Sequence, residues 1–170
     1  MIFVTVGTQL PFDRLVAAVD GWAGSHPSRP RVFAQIGPSD LQPANIGYAQ
    51  FMPPEECLRH MREATAIVAH AGIGTILTGL EMGKPLLVMP RKASLGEHRS
   101  DHQMATVSRF ATGAIDVAAD ETELVERLDK LGNNAEPPRI SSSAPPEFLE
   151  KLAACIRGEH ELTSRIGVLR

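Results

Sequence analysis

The chain has 170 residues, of which 43% are hydrophobic and 22% charged, so we expect one domain with an apolar core and not a two-domain enzyme. Its 20 acidic and 17 basic residues give a net charge of -3, which provides no overall field for nucleic acid or anionic lipid. Cys57 and Cys155 lie too far apart in an ordinary composition to suggest a disulfide framework. The first residues have no basic start, long apolar run or small-residue cleavage site, and the sequence has no run of about 20 apolar residues, so we expect a soluble, cytoplasmic protein.

Short apolar runs alternate with amphipathic stretches along the first 132 residues. The apolar runs predict six strands, at 2–6, 31–36, 46–52, 66–69, 86–89 and 114–117. The amphipathic stretches predict helices at 11–23, from 53 onward, at 72–82, around Met104, Val107 and Phe110, and at 121–131. Strands that alternate with helices need crossover connections. The pattern therefore predicts an α/β, Rossmann-like, doubly wound fold with a mainly parallel six-stranded sheet.

Two of these helices have a well-defined apolar face. The face of the helix at 11–23 comprises Phe12, Leu15, Val16, Val19 and Trp22. The inward positions of the helix at 72–82 are predicted to be Ile73, Ile76, Leu77 and Leu80. Because parallel sheets bind ligands at the carboxyl ends of their strands, we expect the site residues in the loops that follow the strands.

Residues 133–146 differ in composition from the rest of the chain, because proline and serine dominate them. This composition predicts a linker. It would separate a Rossmann-like domain at 1–132 from a C-terminal helix and tail at 147–170. The apolar residues of that last helix are Phe148, Leu149, Leu152 and Ile156.

The most informative turn lies between residues 66 and 82, where a strand runs into two glycines and then directly into a helix. Glycines allow close approach of a ligand to the backbone, and the free N–H groups of a helix start attract phosphate. Thr75 adds a hydroxyl donor, and His70 stands directly before the turn. A tight turn whose glycines serve packing alone is the alternative. The dinucleotide fingerprint is not met, since Leu77 stands where it needs a third glycine.

A polar loop at residues 90–103 concentrates three cations, two carboxylates and two histidines at the expected ligand edge. A solvated loop is the plain alternative, but long loops in compact domains tend to be functional. Glu97, His98, Asp101 and His102 could hold a metal ion. No pair among them has a zinc-type spacing with a cysteine, so we expect no metal.

Five segments occur in an order that is far more specific than any one of them. They are residues 4–8 (Val-Thr-Val-Gly-Thr), 11–15 (Pro-Phe-Asp-Arg-Leu), 70–75 (His-Ala-Gly-Ile-Gly-Thr), 80–85 (Leu-Glu-Met-Gly-Lys-Pro) and 101–103 (Asp-His-Gln). Together they resemble the donor-binding, C-terminal half of GT-B glycosyltransferases, as in the glycosyltransferase family 28 C-terminal domain. The resemblance covers about residues 1–130. It includes families in which that half is a separate small protein: the soluble catalytic subunit of the dolichol-linked N-acetylglucosaminyltransferase, and bacterial exopolysaccharide glycosyltransferases, some of which transfer glucuronic acid.

The resemblance implies a UDP-sugar donor and assigns its nucleotide contacts residue by residue. The turn at Gly7 and Thr8 would face the diphosphate, and the Phe51–Met52 junction would hold the uracil through its backbone. The diphosphate loop would comprise His70, Gly72, Gly74 and Thr75. Many relatives hold the ribose with a glutamate where this chain has Thr78, so either Thr78 makes a weaker contact or Glu81 reaches in from the next turn.

The resemblance also assigns the contacts to the transferred sugar. These are Asp101, His102 and Gln103, with Gln103 as the contact to a hydroxyl. Arg91, Lys92 and Arg99 supply more positive charge than a neutral sugar needs. We therefore expect an acidic sugar, as in UDP-glucuronate. No metal or other cofactor is expected, because relatives stabilise the leaving diphosphate with a helix dipole and side-chain donors.

The function implied by the resemblance is the donor-binding subunit of a two-chain, inverting glycosyltransferase that acts on a lipid-linked saccharide in exopolysaccharide biosynthesis. A GT-B active site lies between two domains, so we assign no catalytic residue here and expect the base on the partner. That partner would be a membrane-associated, acceptor-binding subunit that holds this chain at the inner face of the membrane. Leu10 and Leu95 are candidate contacts to it. The alternatives are a noncatalytic nucleotide-sugar-binding or scaffold module and a nicotinamide-dependent oxidoreductase.

Overall fold

The computed structural model describes residues 1–25, 28–110, 115–131 and 139–157, with the backbone alone at residues 109 and 110. The strands are β1 (Ile2–Thr5), β2 (Val32–Gln35), β3 (Gly47–Ala49), β4 (Ala66–His70), β5 (Leu86–Met89) and β6 (Asp116–Val117). The helices are α1 (Asp13–Gly24), α2 (Pro54–Glu63), α3 (Ile73–Glu81), α4 (His102–Phe110), α5 (Glu121–Leu128) and α6 (Pro146–Ile156). A short 3-10 helix, Ala93–Leu95, lies in the loop between β5 and α4.

The strands form one sheet in the order β3-β2-β1-β4-β5-β6, and every neighbouring pair is parallel. The predicted Rossmann-like, doubly wound fold is thereby confirmed. The strand order reverses between β1 and β4, which are neighbours in register from Ile2 opposite Ala66 to Thr5 opposite Ala69. The loops after β1 and β4 therefore leave the same edge of the sheet side by side, at the position where this fold binds ligands.

Two apolar clusters cover the two faces of the sheet. One joins β1, β2, β4 and β5 to α1 and α5, and the other joins β1, β4 and β5 to α2, α3 and α4. The predicted inner face of the first helix is confirmed in full, with each of its five members less than 5% exposed: Phe12, Leu15, Val16, Val19 and Trp22. A helix layer on each face explains why the strands read as continuous apolar runs.

The face of α3 was only half predicted. Ile76 and Leu80 are buried, but Ile73 is 50% exposed and Leu77 37% exposed. The reason is Gly79, which is buried and packs so closely that an added Cβ would lie 3.3 Å from the Leu86 side chain. The helix rests on its glycine side, and this orientation turns Ile73 and Leu77 outward.

The apolar positions of α4 are also shifted from the prediction. Met104 is 43% exposed, whereas Gln103 is 3% exposed and Val107 7%. The Gln103 Oε1 atom accepts a hydrogen bond from the Arg91 N–H group at 3.1 Å, and this bond draws a polar residue into the interior. Phe110 was predicted on the same face, and its side chain lies outside the described residues.

The third strand is shorter than predicted, since β3 covers three of the seven residues at 46–52. Its pairing with β2 continues for two further hydrogen bonds, from Ile36 N to Ala49 O and from Gly37 N to Gln50 O. Gly37 then adopts φ of +68° and turns the neighbouring chain away. Such a positive φ suits glycine.

The described residues up to 140 and those from 141 onward form two separate units. The second contains α6, on which the predicted apolar residues are all exposed: Phe148, Leu149, Leu152 and Ile156. Within the proposed linker at 133–146, residues 133–138 lie outside the described part of the chain, as does the tail from 158 onward. Among the described helices, none is both long and apolar enough to cross a bilayer.

Candidate binding cleft

A cleft of about 490 Å³ lies at the carboxyl edge of the sheet, over the switch point. Three segments form it: the β1–α1 loop (residues 6–12), the start of α3, and the loop from β5 to α4. Its lining residues are Val6, Gly7, Thr8, Gln9, Leu10, His70, Gly72, Ile73, Gly74, Thr75, Arg91, His98, His102 and Gln103. The volume lies within the range of about 300–1,000 Å³ that is usual for small-molecule sites.

The start of α3 forms the floor of this cleft. Gly72 occupies the N-cap position, and no side chain among the described residues caps the helix. The first turn contains no acidic residue, and no described residue accepts a hydrogen bond from the N–H groups of Ile73, Gly74 or Thr75. These groups carry the positive end of the helix dipole, so they can bind an anion.

The glycines that border the cleft have different roles. A Cβ on Gly72 would lie less than 3.0 Å from His70 Nε2, and one on Gly7 would lie 3.1 Å from His70 Cε1. These two glycines therefore make room for the imidazole, and Gly7 also has φ of +76°. An added Cβ on Gly74 would meet nothing within 4 Å, so Gly74 makes room in the cleft itself.

His70 is held as a neutral ring. Its Nδ1 atom lies 3.4 Å from Thr5 O, which can only accept, so Nδ1 carries the proton and Nε2 a lone pair. Burial, together with the charges of Arg91 and His98, lowers the pKa of His70 to about 4. An imidazole with this pKa adds no positive charge to the cleft at neutral pH.

Arg91 lies beneath the cleft and is 3% exposed. Its guanidinium donates to Val6 O at 2.7 Å, Leu10 O at 2.7 Å, Pro11 O at 2.6 Å and Glu97 O at 3.1 Å. The group also lies 4.7 Å from the centre of the Phe12 ring. Arg91 therefore faces backbone carbonyls, although we predicted it to bind a sugar carboxylate.

Hydrogen bonds and an ion pair of charged side chains stabilise the loop between β5 and α4. Glu97 accepts from Arg14 at 2.7 and 3.0 Å and from the Lys92 N–H group at 2.8 Å. These bonds hold the pKa of Glu97 below its usual value although burial opposes them. The Glu97 carboxylate is therefore already hydrogen-bonded within the fold. The four side chains considered for a metal ion, those of Glu97, His98, Asp101 and His102, do not converge. No cluster of three or more metal-binding side chains occurs among the described residues.

His98 and His102 form the outer rim of the cleft. Their rings meet edge to face, with centroids 4.4 Å apart. The Ser100 hydroxyl lies 3.0 Å from His102 Nδ1, and the Ser100 N–H group donates to His98 Nδ1 at 3.4 Å. This arrangement places imidazole edges and the Gln103 amide where a polar ligand can contact them.

The structure brings nine of the fourteen predicted site residues to the cleft, namely Gly7, Thr8, His70, Gly72, Gly74, Thr75, Arg91, His102 and Gln103. The other five lie outside its lining, namely Met52, Thr78, Glu81, Arg99 and Asp101.

Each of these five is accounted for in the structure. Met52 packs against the core, and the Thr78 hydroxyl donates to Gly74 O at 2.9 Å. Glu81 ends α3, about 12 Å along the helix axis from its start. Asp101 accepts from the Ala93 N–H group at 2.8 Å, and Arg99 is exposed. Whether any of them touches a bound donor stays a prediction.

Sequence reasoning did not assign five of the lining residues, namely Val6, Gln9, Leu10, Ile73 and His98. Four of them are adjacent to assigned residues and Leu10 follows Thr8 by two positions, so their places in the loops after β1, β4 and β5 could have indicated them. The Gly83-Lys84-Pro85 motif has a structural role that sequence reasoning also missed. Lys84 Nζ donates to Arg62 O at 2.5 Å and Ala64 O at 2.7 Å, at the end of α2. A cation at the negative end of a helix stabilises it.

Several solved structures share this fold at 18–20% sequence identity. The crystal structure of the glycosyltransferase of kitacinnamycin has a TM-score of 0.58 and 18% identity over 92% of this chain and 38% of its own. CalG4, the calicheamicin glycosyltransferase, has a TM-score of 0.55 and 19% identity over 78% of this chain and 34% of its own. The NMR solution structure of ALG13 has a TM-score of 0.57 and 20% identity over 92% of this chain and 96% of its own.

This chain therefore spans little more than a third of the first two structures and nearly all of the third. At these identities the likeness shows the fold alone. No curated protein matches the chain in sequence. The profile of the glycosyltransferase family 28 C-terminal domain matches residues 1–155, which is most of the chain. With the six-stranded parallel sheet and the cleft at its switch point, this match shows that the chain belongs to the glycosyltransferase family 28 C-terminal domain family.

Proposed function

We propose that this chain is the donor-binding subunit of a two-chain, inverting glycosyltransferase that takes a sugar from a UDP-sugar. The observation that carries the proposal is the uncapped start of α3, with Gly74 open to the cleft. Three N–H groups at a helix start, for which no described residue is an acceptor, attract a diphosphate, and the absence of a Cβ at Gly74 allows its oxygens to approach the backbone. Family membership supports the same ligand.

The cleft also suits the departure of the diphosphate when the glycosidic bond to the donor breaks. Negative charge develops on the leaving group in that step, and donors already in place stabilise it without reorganisation. The N–H groups at 73–75 and the Thr75 hydroxyl are such donors. Because His70 is neutral, the helix dipole and these hydrogen bonds provide the stabilisation. We propose that no metal or cofactor is required.

We assign no residue of this chain to the binding or activation of the acceptor. In an inverting mechanism a base removes the acceptor proton while the hydroxyl attacks the anomeric carbon in line. We assign the base and the acceptor pocket to a partner subunit, since a GT-B cleft needs two domains. The partner would be membrane-associated, would present a lipid-linked saccharide, and would hold this chain at the cytoplasmic face in exopolysaccharide biosynthesis.

The identity of the sugar depends on the cations around the cleft. The guanidinium of Arg91 is engaged by carbonyls, so the case for UDP-glucuronate rests on Lys92 and Arg99. A carboxylate paired with either cation adds about 1.5–3 kcal/mol when shielded from water. We expect the complex to turn over UDP-glucuronate faster than UDP-glucose. Equal rates would remove the acidic sugar from the proposal and leave the UDP site intact.

The direct test of catalysis is transfer from a labelled UDP-sugar to a lipid-linked acceptor, by the purified chain with and without its co-expressed partner. We expect transfer by the complex and none by the chain alone. Full turnover by the isolated chain would refute the two-chain assignment. A complex that binds UDP-sugars but never transfers would instead identify a noncatalytic binding module, which the lack of an assigned base in this chain keeps as the second candidate.

A further inference from the structure

The guanidinium of Arg91 is almost fully occupied. Arginine has five N–H donors, and the two terminal nitrogens of Arg91 already donate to four backbone carbonyls. No carboxylate side chain accepts from it among the described residues, and the neighbouring Glu97 carboxylate is held by Arg14. The donors needed for a bidentate contact to a ligand are therefore already in use.

Three of the four carbonyls belong to the β1–α1 loop: those of Val6, Leu10 and Pro11. A fourth carbonyl of this loop, Gly7 O, accepts from Gln35 Nε2 at 2.9 Å. In contrast, no described residue accepts from the N–H groups of Thr8, Gln9 or Leu10. A loop whose carbonyls are bound on the inside and whose N–H groups are unpaired can stabilise negative charge.

Arg91 is also linked to the opposite wall of the cleft. Its backbone N–H group donates to Gln103 Oε1, and Gln103 is 3% exposed and lines the cleft. A single buried residue thus holds the β1–α1 loop through its side chain and Gln103 through its backbone. A buried charge is costly unless its hydrogen bonds are satisfied, so the arrangement stabilises one geometry of the loop.

We propose that Arg91 is a positioning residue, which sets the shape of the β1–α1 loop for a nucleoside diphosphate group through its hydrogen bonds to the carbonyls of Val6, Leu10 and Pro11. It acts through the loop and makes no contact with the ligand. The inference rests on the proposed donor-binding function. It differs from the sugar-carboxylate role predicted from the sequence, because the affected part of the ligand is the diphosphate.

The test compares Arg91→Met, Arg91→Lys and a matched control, Arg29→Met. Arg29 stacks on Trp22 at 4.6 Å, much as Arg91 stacks on Phe12, and it lies outside the cleft lining. The measurements are amide hydrogen exchange at residues 7–10 without ligand, the pKa of His70 by NMR, and the affinity for UDP by calorimetry.

We expect Arg91→Met to exchange faster at residues 7–10, to raise the pKa of His70 and to bind UDP at least about tenfold more weakly, which corresponds to about 1.4 kcal/mol. Arg91→Lys keeps the charge but cannot reach all the carbonyls. It should leave the pKa of His70 low, while amide exchange at residues 7–10 is still faster and UDP affinity still lower than in the wild type. Arg29→Met should change none of the three.

Two results would overturn the inference. One is unchanged amide exchange at residues 7–10 and unchanged UDP affinity in folded Arg91→Met. The other is wild-type exchange and affinity in Arg91→Lys, which would show that Arg91 acts through its charge alone. If Arg91→Met does not fold, Arg91→Lys alone decides between a positioning role and a role of charge. If the wild-type chain bound no UDP, the proposed function would fail, while the amide exchange of the free protein would still decide whether Arg91 shapes the loop.

Discussion

Two helices of this protein, α5 and α3, start at the same edge of the sheet. They differ in whether side chains of the protein cap their first N–H groups. At α5, the Asp120 carboxylate accepts from the Glu123 N–H group at 3.0 Å, and Glu123 accepts from the Ala119 N–H group at 3.1 Å. At α3, Gly72 provides no cap and the first turn has no acidic residue. The fold can therefore satisfy a helix start with its own side chains, and at α3 it does not.

The difference indicates which helix start is available to a ligand. An anion at α5 would meet the carboxylates of Glu121 and Glu123 in the first turn. At α3 it would meet N–H groups and a glycine with open space around it. The following predictions change one helix start to resemble the other, or alter the group beside it.

The largest effect is expected from Gly74→Glu, which gives α3 the acidic first turn of α5. An added Cβ at this position meets nothing within 4 Å, and a carboxylate at a helix start is favourable, so the free energy of unfolding should stay equal or rise by about 1 kcal/mol. UDP binding should fall by at least about 100-fold, through steric exclusion and repulsion of the diphosphate. Calorimetry measures the affinity and thermal unfolding the stability.

Gly21→Glu is the matched control, since Gly21 lies in α1 and its Cβ would also meet nothing within 4 Å. It should leave UDP affinity unchanged. Gly74→Val and Gly21→Val separate bulk from charge, and we expect Gly74→Val also to abolish detectable binding in a folded protein. Unaltered affinity in folded Gly74→Val would exclude α3 as the diphosphate site.

An intermediate effect is expected from pH through His70. Its pKa in the folded protein, about 4, lies below the ordinary value of 6.5, so between these values the unfolded chain binds more protons. The free energy of unfolding should therefore decrease as pH falls from 6.5 to 4, by up to about 3 kcal/mol from this group. Denaturant unfolding at pH 7 and pH 5 measures the change.

His70→Gln should reduce the difference in stability between pH 7 and pH 5. The charged and titratable groups that act on His70 in the described structure are Arg91 and His98. The pKa of His98 is itself lowered, chiefly by burial, so part of the pH dependence should remain in the variant. A pH dependence as steep as that of the wild type would show that the pKa of His70 is not lowered in the folded state.

The smallest effect on binding is expected from Asp120→Ala, which removes the cap of α5. Loss of an N-cap side chain costs about 1 kcal/mol, so thermal stability should decrease. UDP affinity should not change, because the cap lies outside the cleft lining. A weakened affinity at unchanged stability would mean that α5 takes part in binding, contrary to the comparison.

The sequence allowed the sheet, the helices and most of the cleft to be predicted, because apolar periodicity and glycine positions are local signals. The face of α3 could not be predicted, since it depends on how closely Gly79 approaches Leu86. The role of Arg91 could not be predicted either. A run of cations in a loop shows charge, whereas the carbonyls of Val6, Leu10 and Pro11 approach it only in the folded chain.

The start of α3 is the element that we propose binds the nucleoside diphosphate. An NMR titration of the 15N-labelled chain with UDP tests this residue by residue. We expect the amide signals of residues 73–75 to shift most, those of residues 8–10 to shift with them, and those of residues 120–123 at α5 to stay in place. Unshifted signals at 73–75 under saturating UDP, or larger shifts at 120–123, would contradict it.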